Sequence, residues 1–197
     1  MTETYAGKPV VFIDDKYSSP ASKVRRNRFL SAYTGGGGSI GAPCAIVDSG
    51  HQVENGYEND FRTLYSTMVD AELLRSPGAK IVVNQSKRNG DTLTVNVNVT
   101  NKSGVKLSTG NKATVFVIVY EDKTKVLKGN ISDRTSRAAK SAPISSLDNG
   151  ATETFTLSVK IDGADWAKMH PIIVVDYKPS GSKAFDMLQA AKAPITN

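Results

Sequence analysis

Thr92-Leu93-Thr94-Val95-Asn96-Val97-Asn98-Val99-Thr100 is the stretch on which the fold of this chain turns. Its apolar residues, Leu93, Val95, Val97 and Val99, alternate with threonine and asparagine without a break. A period of two gives a β-strand one dry face and one wet face. Phe155, Leu157, Val159 and Ile161 repeat the pattern against Thr154, Thr156, Ser158 and Lys160. Val115-Phe116-Val117-Ile118-Val119-Tyr120 and Ile172-Ile173-Val174-Val175 are apolar at every position and predict central strands covered on both faces. Ile81-Val82-Val83 and an edge strand within 125–142 complete the set, and Arg88-Asn89-Gly90-Asp91 predicts the hairpin turn between the first two strands. Short strands with turns between them predict a two-sheet antiparallel sandwich.

That pattern resembles the immunoglobulin and fibronectin sandwiches, without the internal disulfide of antibody domains. Trp166, in Gly163-Ala164-Asp165-Trp166, is expected to plug the bottom of the core where a short turn crosses between sheets. The tail Ala184–Ala193, AFDMLQAAKA, is expected to be a short helix or an ordered arm docked on the surface.

The text before Ser76-Pro77-Gly78 is of another kind, and that breaker marks a boundary between residues 1–77 and 78–197. Val10-Val11-Phe12-Ile13 predicts a strand buried on both faces. Ser19-Pro20 predicts the start of a helix carrying Val24, Arg28, Phe29, Leu30 and Tyr33, and Gly35–Gly38 a connector rather than a phosphate cradle, since no Gly-Lys-Ser/Thr follows it. From Ala42 the residues spell a strand, a turn at Asp48-Ser49-Gly50, a return strand at His51–Glu54, and a helix from about Glu58 to Leu74. The helix is signalled by Phe61, Leu64, Tyr65, Met68, Val69 and Leu73 at spacings of three and four.

A strand preceded by proline, a hairpin, a glycine and a closing amphipathic helix resemble the C-terminal half of the thioredoxin fold. Pro43 stands where that family has its cis-proline, and the likeness covers roughly residues 8–75. The family's middle strand and helix are missing, replaced by the glycine stretch. The fold class expected is therefore α+β, an incomplete thioredoxin-like α/β segment in residues 1–77 followed by an immunoglobulin-like β-sandwich with a C-terminal arm in 78–197. Such an order is similar to the organisation of certain bacterial cell-envelope proteins, which implies an envelope or surface role by analogy.

Composition narrows the chemistry. Of 197 residues, 39% are hydrophobic and 22% charged, as in ordinary globular domains. No apolar run approaches the roughly 20 residues of a membrane span. The start MTETYAGKPVVFID lacks the charged and small-residue regions of a signal peptide, so the expectation is an extracellular or envelope protein if a leader has been removed, and a cytoplasmic one otherwise. Residues 1–77 hold 8 Lys/Arg against 9 Asp/Glu and residues 78–197 hold 17 against 10, so the net +6 belongs to the second part. Lys123, Lys125, Lys128, Arg134, Arg137 and Lys140 concentrate that charge and form the candidate binding set for a weakly held anionic polymer. Without interleaved aromatics, nucleic acid is not the expected partner, and a lysine- and arginine-rich edge strand that resists aggregation is the favoured reading of the run.

Cys44 is the sole cysteine, so no intrachain disulfide is possible, and with only His51 and His170 neither a metal site nor a cofactor is expected. A dithiol oxidoreductase needs two thiols, one of depressed pKa, and where Cys-x-x-Cys would follow the first strand the chain reads Asp14-Asp15-Lys16-Tyr17-Ser18-Ser19. Cys44 beside Pro43 leaves a single-cysteine thiol enzyme as the catalytic alternative, against inert packing of the thiol as a small hydrophobe. Asp14 and Asp15 point to opposite faces in a strand and do not make an acid–base pair. Asp48 and Ser49 suit a turn, and His170 a strand entry. The function expected is a non-catalytic binding or structural module of the bacterial envelope or exterior, contacting protein partners or its own kind through sheet edges.

Overall fold

The computed structural model of the protein describes residues 4–13, 25, 28, 29, 44–55, 60–125 and 131–196; the side chains of 55, 123–125 and 131–133 are left out of the description. It is a mixed α+β structure, mostly antiparallel sheet, with one α-helix described from end to end. Its centre is the alternating segment, now strand β4 (Thr92–Asn101), with β3 (Ala79–Asn89) on one side and β9 (Thr152–Lys160) on the other. Gly90, at φ 58°, makes the tight β3–β4 turn that a residue with a Cβ enters at a cost.

Facing this sheet is a four-stranded one in the order β11 (Asp186–Lys192), β10 (Met169–Tyr177), β6 (Thr114–Lys125), β7 (Ile131–Pro143). Leu93, Val95, Val97 and Val99 are fully buried between the sheets, against Val115, Val117 and Val119 of β6 and Ile173 and Val175 of β10. This is the inward set that alternation predicts, because a slip of one residue would carry all four to solvent. Two short pieces, β5 (Leu107–Ser108) and β8 (Ser146–Leu147), pair at the sandwich end. Trp166 is half-buried against the same core, in a short helical turn at Trp166–Lys168, with the Arg88 guanidinium 5.2 Å from its ring centroid.

The second apolar face of β6 and β10 has its own cover. Phe116, Ile118, Tyr120, Ile172 and Val174 form a buried strip on the outer side of the four-stranded sheet, and Val11, Ile13, Ala139 and Met187 pack on it. The expected strand at Val10–Ile13 is therefore a correction: these residues join no ladder among the described residues and lie on the sheet as a strap. Burial of Val11 and Ile13 is met by side-chain packing, which needs no strand partner. Arg25, Arg28 and Phe29 are helical, as expected after Pro20. Ser19-Pro20, the glycine stretch, Asp14, Asp15 and Pro43 lie outside the described residues.

For the tail it is the helical alternative that is corrected. Ala184–Ala193 holds good helix formers, yet residues 186–192 are strand β11, paired antiparallel with β10 from Ile172↔Lys192 to Tyr177↔Asp186. The open edge of β10 offers a ladder and a slot for Leu188, and those tertiary gains override propensity. The hairpin β1 (Cys44–Val47) and β2 (Gln52–Asn55), turned by Asp48–Gly50, and helix α1 (Phe61–Leu73) follow the expected order. Asp60 caps α1, its carboxylate accepting from Thr63 N at 3.0 Å, and Met68 and Val69 are the buried side of the helix.

Candidate functional site

The cationic set is dispersed by its own strand geometry. β7 is the outer strand of its sheet, as the edge reading expects, and its arginines are neutralised across the β6 ladder. Arg137 pairs with Glu121, and Arg134 lies 3.5 Å from Asp122 and 6.0 Å from the Tyr120 ring centroid. Asp122 also meets His170 Nε2 at 3.0 Å, with the His170 ring stacked on Tyr120 at 5.2 Å. Lys140 is exposed, Lys123 and Lys125 end β6, and Lys128 lies outside the described residues. Two cations of the set thus face carboxylates.

Cys44 is half-buried in β1, its Sγ 4.0 Å from the Ala45 carbonyl oxygen. Burial pushes its thiol pKa up, and the Glu54 carboxylate adds to the rise. A nucleophilic or redox-active cysteine needs the opposite, a cationic or helix-N-terminal setting that favours the thiolate.

The densest polar constellation is one that residue spacing did not single out. It lies where the hairpin, α1 and β11 meet. Glu72, buried on α1, accepts from His51 Nδ1 at 2.5 Å and Gln52 Nε2 at 2.9 Å on one oxygen and from Arg75 Nη1 at 2.6 Å on the other. Arg75 also pairs with Asp186 of β11. Burial alone would raise the Glu72 pKa, but these donors outweigh it and hold the carboxylate at about 2. Asp48 takes the opposite course: burial, then the neighbouring Glu72 charge and the hydrogen bond between the two, push it up to about 7. One proton is shared between unlike carboxylates, with Glu72 the ionised partner.

A second buried pair lies beside it. Asp176 of β10 is fully buried, and Arg28 Nη2 donates to its Oδ1 at 2.6 Å and to the Lys112 carbonyl. The same guanidinium lies 3.9 Å from the Phe185 ring centroid, and Phe185 packs edge-on to Phe29 at 5.7 Å. Burial lifts Asp176 to about 6 despite Arg28 and Ser49, which act to lower it. The signals were present in the sequence, since Glu72 sits one turn from Met68 on the apolar side of its helix and Asp176 ends the run Ile172–Val175. A buried carboxylate needs a partner, but spacing does not name one 148 residues away.

The outer face of β3, β4 and β9 is the remaining organised polar surface. Asn84 Nδ2 donates to Asn96 and Asn98, Thr154 to Asn98, and Asn96 to Thr156, all at 2.7–2.9 Å, while Thr94–Ser158 and Thr100–Thr152 hydroxyls meet at 2.8 Å. The amides and hydroxyls form a cross-strand net that contains no charge.

No family model matches the sequence, and no curated protein matches it. Among solved structures, HBP35 of Porphyromonas gingivalis is similar with a TM-score of 0.50 at 11% identity, over 66% of this chain and 45% of that one. The sporulation control protein Spo0M of Bacillus subtilis aligns at 8% identity and TM-score 0.37, over 63% of this chain and 51% of that one. A β-glucosidase of Kluyveromyces marxianus aligns at 15% identity and TM-score 0.30, over 63% and 14%. This chain therefore spans about half or less of each of these proteins. The HBP35 likeness is one of fold alone, and at such identity it transfers no side-chain role.

Proposed function

We propose that the protein is a non-catalytic binding or structural module of the bacterial cell envelope or exterior, acting through its sheet surfaces and edges. The observation that carries this reading is the state of its reactive groups. The Cys44 thiol is pushed up, Glu72, Arg75 and Asp186 hold one another, Arg28 holds Asp176, and Arg134 and Arg137 face Asp122 and Glu121. These groups are spent on joining elements, whereas polar sheet faces and strand edges meet solvent. Lys123, Lys125, Lys128, Arg134, Arg137 and Lys140 are in this reading a weak and secondary anion surface.

The finer architecture belongs to the same proposal. Three strands in the order β3-β4-β9 against four in the order β11-β10-β6-β7 support an immunoglobulin- or fibronectin-like sandwich. The β1–β2 hairpin followed by α1 supports the likeness to the closing half of a thioredoxin fold that has lost its Cys-x-x-Cys. The envelope setting rests on that organisational likeness.

Thiol kinetics test the reading. Cys44 is expected to react slowly with a thiol reagent in the native protein and quickly after unfolding, and the protein is expected to lack insulin-reductase activity. Rapid stoichiometric labelling of the native protein, with an apparent thiol pKa well below about 8.5, overturns it in favour of a single-cysteine enzyme.

A further inference from the structure

The sandwich has four strand edges, and three of them are guarded. β3 carries a bulge at Val83/Gln85, and Thr196 bonds along it, donating to Ser86 O at 2.7 Å and accepting from Arg88 N at 3.1 Å. β11 meets the chain entering β3, with Gly78 N donating to Leu188 O at 2.9 Å. β7 has a bulge opposite Val119/Tyr120, the cations Arg134, Arg137 and Lys140, and Pro143 at its end. These are the devices by which sheets resist edge-to-edge pairing.

Among the described residues β9 has fewer of them: β7 of the facing sheet runs close beside it, but no backbone bond joins the two. Its register with β4 is unbroken from Thr92↔Lys160 to Thr100↔Thr152. Within it, Thr154-Phe155-Thr156-Leu157-Ser158-Val159 is six residues with no charge, proline or glycine, the composition that favours strand addition. The one inward charge, Glu153, stands next to the first residue and leaves this window bare.

The direction of the open groups follows from the ladder. Asn101 N donates to Ala151 O at 3.0 Å and Ile161 N to Asp91 O at 2.8 Å, which makes these opposed residues hydrogen-bonded pairs. Such pairs recur at every second residue, so 153, 155, 157 and 159 bond to β4. The backbone groups of Thr152, Thr154, Thr156, Ser158 and Lys160 then point away from β4, and among the described residues none of them bonds to another element.

We infer that β9 is a self-pairing edge, joined antiparallel to β9 of a second copy about a two-fold axis at Thr156. This register gives the longest overlap of open residues: Thr156 opposes itself, Thr154 opposes the second copy's Ser158, and Thr152 opposes its Lys160. No like charges face one another, whereas a parallel pairing would set Lys160 against Lys160. The hydroxyl and amide net of β4 and β9 then continues across the join, and two three-stranded sheets become one of six. The contact is small, so the expected dissociation constant lies between about 10 μM and 1 mM. The inference rests on the proposed role as a module working through its sheets.

Sedimentation equilibrium on the full chain tests it. The protein is expected to pass from monomer to dimer as concentration rises to about 1 mM, independently of salt. Thr154→Lys with Ser158→Lys sets like charges opposite one another at both symmetric positions and is expected to weaken the dimer on the order of tenfold at low salt. Thr154→Lys with Ser158→Glu, which sets unlike charges there, is expected to restore it. Thr156→Pro removes an outward N–H without touching the β4 ladder and is expected to leave a folded monomer. A chain monomeric throughout, or a dimer indifferent to all three variants, overturns the inference. Monomeric protein with slow Cys44 labelling overturns the pairing alone, whereas rapid Cys44 labelling overturns the module reading whatever the state of association.

Discussion

Asp48 and Asp176 are carboxyls placed where water cannot fully reach them, and both therefore hold a proton to higher pH than an unfolded aspartate does. Their values stand at about 7 and about 6, against the ordinary 3.8. A group raised in the folded state stabilises fully below its unfolded value, and that contribution is lost as pH climbs to the folded value. The window here runs from about pH 4 to about pH 7. Asp48→Asn removes the group that must ionise beside Glu72, so the variant is expected to be more stable than the parent at pH 8 by about 2 kcal/mol, after discounting for the exposed part of Asp48. The two proteins should converge near pH 4. Urea unfolding at pH 4, 6 and 8 measures this, and a constant difference across the range would contradict the shared proton. Glu72 works in the other direction, its stabilisation present above 4.5 and lost as pH falls towards 2.

Among elements, β4 shows how far alternation alone reaches. Leu93 is completely buried, and Leu93→Ala is expected to cost about 3 kcal/mol, while Thr94→Ala on the wet face should stay within about 0.5 kcal/mol; chemical denaturation of both variants checks the pair. Strands and hairpins were legible because side-chain period and turn glycines are local properties. The helix α1 was legible for the same reason. Val10–Ile13 and residues 186–192 were not, since an apolar run records a need for burial but not whether a ladder or a sheet face supplies it. The carboxylate clusters were illegible in a different way, because their partners come from elements far apart in sequence. The cations of β7 lie between: their position on an edge was readable, their pairing with Glu121 and Asp122 was not. Heparin binding should accordingly be weak and vanish near physiological ionic strength, where exposed charges are screened over about 8 Å. A salt titration decides, and tight binding that resists salt would mean the cations form a true site.

On the scale of the whole molecule, Arg28, like Arg75 through Asp186, fastens the first part to the second. Arg28 meets Asp176 and the Lys112 carbonyl and lies over Phe185, so the N-terminal part and the sandwich share a buried ion pair and an aromatic contact. Arg28→Ala leaves Asp176 buried without its hydrogen-bonded cation, the Arg25 charge still acting on it, and removing one partner of such a pair costs about 3–5 kcal/mol. The lower end is expected, since Asp176 takes up a proton readily. The variant should also bind a hydrophobic dye more strongly as the strip Phe116, Ile118, Tyr120, Ile172 and Val174 loosens from its cover. Thermal unfolding with dye fluorescence reads both effects, and an unchanged midpoint would show that the strap is held without Arg28.

The strap also sets an order of events during synthesis. Val11 and Ile13 leave the ribosome early, yet the surface they cover is shared between β6 and β10, and Val174 is made 161 residues after Ile13. At about 5–20 residues per second the strap waits roughly ten to thirty seconds for its seat. Throughout that interval a pair of apolar side chains has no native place to go, so residues made well before the sandwich are among the last to be folded.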